Sequence, residues 1–172
     1  MSRSWTILVI LVFLVGGFSK AYSGNGVDSL SSVKPVSVAE LKSIIHADSG
    51  HVVLVNVWAT WCKWCKEEMP DILKLRNRLE KRGFRLILVS ADDIDKLEKA
   101  VKPTLKKLGV HFPSYIVHEP SDEAFINGMS ADWNGALPTS FIYGKDGVLA
   151  ETLVGEKSIS EFEQKLEKYL SN

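Results

Sequence analysis

The segment Trp61-Cys62-Lys63-Trp64-Cys65 follows closely on the apolar, β-branched run Val52-Val53-Leu54-Val55-Asn56-Val57-Trp58, and it holds both cysteines of the chain. A near-continuous apolar run of this length forms a strand buried on both faces. Met69, Ile72, Leu73, Leu75 and Leu79 then give a helical stripe that Gly83 closes, so the thiols stand at a strand-to-helix junction. There a CxxC pair can close a small disulfide ring and reopen it without moving the rest of the fold. Structural zinc requires four ligands, but there is no second CxxC, and His46, His51, His111 and His118 are scattered without ligand spacing. A purely structural bridge is the other alternative, yet it would close so short a loop that it removes little unfolded-state entropy. The pair favours redox exchange.

The amino terminus bears on the compartment. Arg3 precedes the apolar stretch Trp5 to Phe18, and Ser19 and Ala21 offer a small-residue cleavage site before Tyr22. Residues 1–21 therefore read as a signal peptide or an N-terminal membrane anchor. The apolar run of about 14 residues is shorter than the ~20 a spanning helix takes, which favours cleavage. Either way the thiols lie in a periplasmic or other extracytoplasmic space, where they are oxidised unless a donor keeps them reduced.

Residues 22–36, rich in Ser and Gly over much of their length, read as a flexible linker, which leaves 37–172 as one domain with one core. The 21 Lys and Arg residues balance the 21 Asp and Glu residues, so net charge gives no indication of nucleic acid as a partner. Ser37-Val38-Ala39-Glu40 has capping-box spacing and opens a short helix ended by Gly50. Phe84 to Ser90 is a second buried strand, followed by a helix through Leu97, Val101, Leu105 and Leu108 that carries Pro103. Pro70 lies inside the helix after the cysteines and is expected to kink it. This βαβα order predicts an α/β fold with a parallel pair of strands. Phe112 to Val117 is a candidate strand and Ser121 to Asn127 a candidate short helix. Thr139 to Tyr143 and Val148 to Val154 flank the turn residues 144–147 as a hairpin. Ser158-Ile159-Ser160-Glu161 opens a terminal helix that buries Phe162, Leu166, Tyr169 and Leu170.

The string Val55-Asn56-Val57-Trp58-Ala59-Thr60-Trp61-Cys62, continued by Cys65, Glu68, Met69 and Pro70, resembles the extracytoplasmic thioredoxin-like proteins of the TlpA, ResA and DsbE (CcmG) type. Leu137-Pro138-Thr139-Ser140-Phe141-Ile142-Tyr143 is similar to that family's cis-proline strand, and the resemblance covers roughly residues 37–170. It implies a thioredoxin fold: a central mixed β-sheet flanked by helices, with an N-terminal extension and a strand-helix insert (112–127) before the cis-proline strand. It also implies thiol-disulfide exchange that uses the Cys62–Cys65 disulfide and no cofactor or metal. The implied partners are an oxidised exported protein, such as apocytochrome c during cytochrome c maturation, and a membrane thiol-disulfide electron donor.

Within that frame Cys62 is the expected nucleophile, because free N–H groups at a helix start stabilise a thiolate. Cys65, one turn in, is the resolving thiol. Lys63 and Lys66 either tune Cys62 or are solvated. Asn56 stands where thioredoxin itself has a buried acid, and an amide cannot carry the proton. The resemblance gives that role to Glu68, three residues after Cys65, against the alternative of a solvated helix glutamate. It further implies a cis Pro138 and substrate contacts at Leu137, Pro138 and Thr139, while Trp61, next to the exposed thiol, and the bulky Trp64 are contact candidates by position. Trp64 departs from the family, in which proline commonly precedes the second cysteine.

Three functions follow from these residues. The leading one is a disulfide reductase for exported proteins, and the second is an oxidant that donates its disulfide. The third is a binding module whose cysteines merely lock the fold. Peroxidase chemistry is disfavoured because no remote resolving cysteine exists.

Overall fold

The computed structural model describes residues 32–171. The expected leader at 1–21 and the first part of the linker lie outside the described residues. The chain runs β1 (Val33–Val36), α1 (Val38–Ala47), β2 (Val52–Trp58), α2 (Lys63–Leu79) and β3 (Phe84–Ser90). It continues through α3 (Lys102–Lys107), β4 (Ser114–Val117), α4 (Asp122–Met129), β5 (Thr139–Tyr143), β6 (Leu149–Val154) and α5 (Ile159–Leu170).

All seven residues of β2 are buried, because the strand lies inside a six-stranded sheet ordered β1-β4-β3-β2-β5-β6 and is covered on both faces. β2 runs parallel to β3 and antiparallel to β5, which makes the sheet mixed. Side chains alternate along the strand. Val52, Leu54 and Trp58 join a core with Met69, Ile72 and Leu75 of α2 and Phe162 and Leu166 of α5. Val53, Val55 and Val57 face the opposite core, with Leu41 and Ile45 of α1 and Phe125 and Met129 of α4. Asn56 shares the first face by alternation, so it points beneath α2.

Local signals account for most element ends. Both capping boxes form, Ser37 with Glu40 at α1 and Ser158 with Glu161 at α5. A 3₁₀ turn extends α2 to Gly83, whose φ of 85° is the left-handed conformation that a helix stop requires. α2 continues through Pro70 to Leu79.

Four expectations are corrected. The linker does not reach residue 36: Val33–Val36 forms β1, paired in parallel with β4, with Val33 and Val36 buried. The helix through Leu97 to Leu108 is broken into a 3₁₀ turn (Ile94–Lys96), a wide π turn (Leu97–Val101) and α3. Pro103 is the physical reason: it lacks the N–H that would continue the α-helical ladder back to Lys99, and it sits in the first turn of α3, where that donor is not needed. The candidate strand from Phe112 shortens to Ser114–Val117, and the short helix runs on to Met129 from its N-cap Ser121. Among the described residues no helix is long and apolar enough to cross a membrane.

Candidate active site

β2 ends at Trp58, and the loop to α2 is pinned from the neighbouring strand. The Thr60 N–H and hydroxyl both donate to the Asp92 carboxylate, at 2.8 and 2.6 Å, and Ser90 Oγ donates to it at 2.7 Å. Asp92 is itself buried just past β3, so the paired strands β2 and β3 jointly hold the loop that presents the first cysteine.

Cys62 is the N-cap of α2 and is disulfide-bonded to Cys65. Its Sγ accepts the Cys65 backbone N–H at 3.1 Å, which is one of the donors a helix start leaves without an intrahelical partner. Cys62 is 7% exposed and Cys65 0%, so of the two only the first cysteine meets solvent. The same N–H and the positive end of the helix stabilise a thiolate at Cys62 when the bridge opens.

Glu68 is not solvated. It is 3% exposed, with Oε1 accepting from Asn56 Nδ2 at 2.9 Å and Oε2 from the Lys157 backbone N–H at 3.1 Å. Burial pushes its pKa up to about 7, against the opposing effect of those two hydrogen bonds. Asn56 Nδ2 also donates to Ser140 Oγ at 3.0 Å, while Asn56 Oδ1 is buried with no partner. A buried polar group of three side chains therefore lies under the sheet-facing side of α2, and its acid is one helical turn from Cys65.

The remaining expected residues divide. The Leu137–Pro138 peptide bond is cis. Trp61 and Trp64 flank the disulfide at 69% and 53% exposure. Thr139 is buried, and its side chain donates to the Ala136 carbonyl and accepts from Trp133 Nε1, which leaves only its backbone to meet a substrate segment. Pro138 is likewise buried, and Leu137 is half-buried. Lys63 is exposed, with Nζ 3.7 Å from Glu67 and 4.9 Å from the Trp64 ring centroid, which favours its solvated reading. Trp58 is wholly buried.

Asp92, Ser140 and Lys157 were not singled out from the sequence. Ser140 lies within the cis-proline strand motif, whereas Asp92 and Lys157 act through contacts that no local pattern announces. Among the described residues no group of three or more His, Cys, Asp or Glu side chains is placed to hold a metal.

Comparison with known proteins agrees with this geometry. A family model described as the AhpC/TSA family matches residues 31–152. The thioredoxin-like protein YneN of Bacillus subtilis is 30% identical over 97% of this chain and 99% of its own length. The thiol-disulfide oxidoreductase ResA of Bacillus thuringiensis is 34% identical over 75% of this chain and 67% of its own length. A solved thiol:disulfide interchange protein of the thioredoxin family from Chlorobium tepidum superimposes with a TM-score of 0.61 at 24% identity, over 72% of this chain and 83% of that one. This last likeness shows a thioredoxin-like fold.

Proposed function

From the premise that this chain belongs to the AhpC/TSA family, with thioredoxin-like relatives, we propose that it is an extracytoplasmic thiol-disulfide oxidoreductase working as a reductase of exported proteins. The observation that carries the direction is the buried Glu68 beneath the disulfide. Strong oxidants owe their potential to a stabilised thiolate in the reduced form. A carboxylate one turn from Cys65, with no ammonium or guanidinium group among its direct hydrogen-bond partners, opposes a second negative charge there. The reduced dithiol is thereby less stabilised, and the pair is the better reductant.

The reaction needs only the two cysteines and a proton acceptor. The Cys62 thiolate attacks one sulfur of a substrate disulfide, forming a mixed disulfide and expelling the other substrate sulfur as a thiolate. Cys65 then gives up its proton, for which ionised Glu68 is the acceptor, and its thiolate attacks Cys62 Sγ. The Cys62–Cys65 bond forms, the substrate leaves as a dithiol, and two electrons have passed to it. A membrane dithiol donor restores the pair by the reverse exchange. Export by the segment 1–21, cleaved or kept as a tether, fits this setting, and apocytochrome c is the substrate the family resemblance suggests.

Thiol trapping of the full chain in graded redox buffers gives the test. A reduction potential near or below roughly −220 mV supports the reductase, and one toward about −120 mV replaces it with the oxidant. Binding of a partner that survives Cys62→Ser, without any turnover by the unaltered protein, would favour the binding module.

A further inference from the structure

A cleft of about 150 Å³ opens beside the active-site loop, lined by Trp61 and Leu137 on one side and by Phe125 and Ile126 of the inserted segment, with Trp133 just after it, on the other. We infer that this cleft, together with the acidic groove it runs into, selects an extended substrate segment with a large apolar residue beside its reacting cysteine and a basic residue farther along. The inference rests on the reductase reading above and assigns the substrate-selecting role to the insert that carries α4.

Size excludes other occupants. Small-molecule sites run from about 300 Å³ upward, whereas this cleft holds a single large apolar side chain. Position supplies the rest of the argument. Trp61 adjoins Cys62, and Leu137 precedes the cis Pro138, so a chain whose sulfur is engaged at Cys62 passes the mouth of the cleft. The walls are built for the purpose: Trp133 is held edge-on between Phe125 and Phe141, and its Nε1 is anchored on Ala136 and Thr139. Gly135 has a φ of 82°, and a Cβ there would come within 2.6 Å of Ile126 Cδ1, so the rim accepts no side chain at this position without displacing Ile126.

Charge fixes the second feature. Through Ala91, Asp122 and Phe125 the cleft continues into a wider groove of about 250 Å³ along which Asp93, Glu119 and Asp122 lie. Asp93 and Asp122 are exposed, and half-buried Glu119 accepts the Val38 N–H. His118 also lines this groove, but the acidic groups outnumber it. A cationic residue of the bound segment is complementary to this end, and an anionic one is repelled.

The test uses full-length reduced protein and nine-residue peptides whose central cysteine is disulfide-bonded to 2-mercaptoethanol. The peptides carry Leu or Ser on both sides of the cysteine and Lys or Glu at the ends. Oxidation of the Cys62–Cys65 pair is followed by the fluorescence of the adjoining tryptophans, with hydroxyethyl disulfide as a substrate too small to fill the cleft. The expected result is a rate constant at least about tenfold higher for Leu than for Ser. Lys peptides should react faster than Glu peptides, with a preference that fades as salt is raised. Ile126→Trp, which fills the cleft, should abolish the Leu preference, so that Leu and Ser peptides of the same end charge react at equal rates. Asp122→Lys, an exposed change that does not depend on repacking, should reverse the end-charge preference. Equal rates for all four peptides, with hydroxyethyl disulfide still reduced, would overturn the cleft assignment alone. Failure to reduce hydroxyethyl disulfide at all would overturn the reductase reading and the inference with it.

Discussion

Replacing Glu68 with glutamine removes a buried acid that titrates near neutrality, and the consequence for stability follows from linkage. The carboxyl holds its proton up to about pH 7 in the folded protein, against an ordinary value of 4.5 in the unfolded chain. Between those values the native state binds a proton that the unfolded state has released, so stability falls as pH rises. Each pH unit in that window is worth about 1.4 kcal/mol, so the whole effect is about 3 kcal/mol, fully present below 4.5 and lost above 7. Glu151 does not confuse the measurement. Although burial opposes it, hydrogen bonds from Lys165, Lys168 and Tyr169 hold its pKa down at about 2, so its contribution changes below 4.5. Glutamine also fits the site. Its oxygen accepts from Lys157, and a turned Asn56 amide presents the otherwise unpartnered Oδ1 to its nitrogen. Urea denaturation of the oxidised proteins, so that no thiol titrates, should show the stability of the parent relative to Glu68→Gln falling by about 3 kcal/mol between pH 4 and 8. Two parallel stability curves would refute the argument, because they would mean that Glu68 titrates as an exposed carboxylate.

Other consequences are equally direct. Cys65→Ser should accumulate a mixed disulfide between Cys62 and an oxidised peptide, visible by mass spectrometry, whereas Cys62→Ser should trap none; the reverse pattern would exchange the two roles. Asp92→Ala strands the Thr60 and Ser90 donors and should cost about 3 kcal/mol in urea denaturation, with slower peptide reduction because the loop before Cys62 loses its anchor. Phe162→Ala empties a fully buried position against α2 and should cost about 3–5 kcal/mol, with no change in reduction potential. Asn56→Asp sets a second carboxyl against Glu68, so the two should titrate as a coupled pair in a pH series of stability curves, and adding Glu68→Gln should restore a single titration.

The fold was legible where local pattern and tertiary context agree. The β2 run, the stripe of α2 and the two capping boxes each name an element that the sheet then uses. Val33–Val36 was misread because the chain before it is rich in Ser and Gly, and because Pro35 is tolerated in a strand that pairs along one edge only. The break around Leu97–Val101 was hidden by apolar spacing that fits a continuous helix, with Pro103 as the one contrary signal.

The site was legible only in its covalent part. Two cysteines and a resemblance suffice to find Cys62, Cys65 and Glu68, but Glu68 is held by Lys157, 89 residues away, and its partner Asn56 by Ser140, 84 residues away. Asn56 shows what the pattern conceals. As an amide it carries no proton, and from the sequence it looks like the loss of an acid beneath the disulfide. In the fold it is the donor that lets an acid enter from the helix instead, since its Nδ2 spans Glu68 and Ser140 across the two packed layers. Placing the acid on α2 puts it on the same helix as Cys65, one turn away. The geometry between proton acceptor and resolving thiol is then set by helix pitch, not by the packing of a helix on a strand.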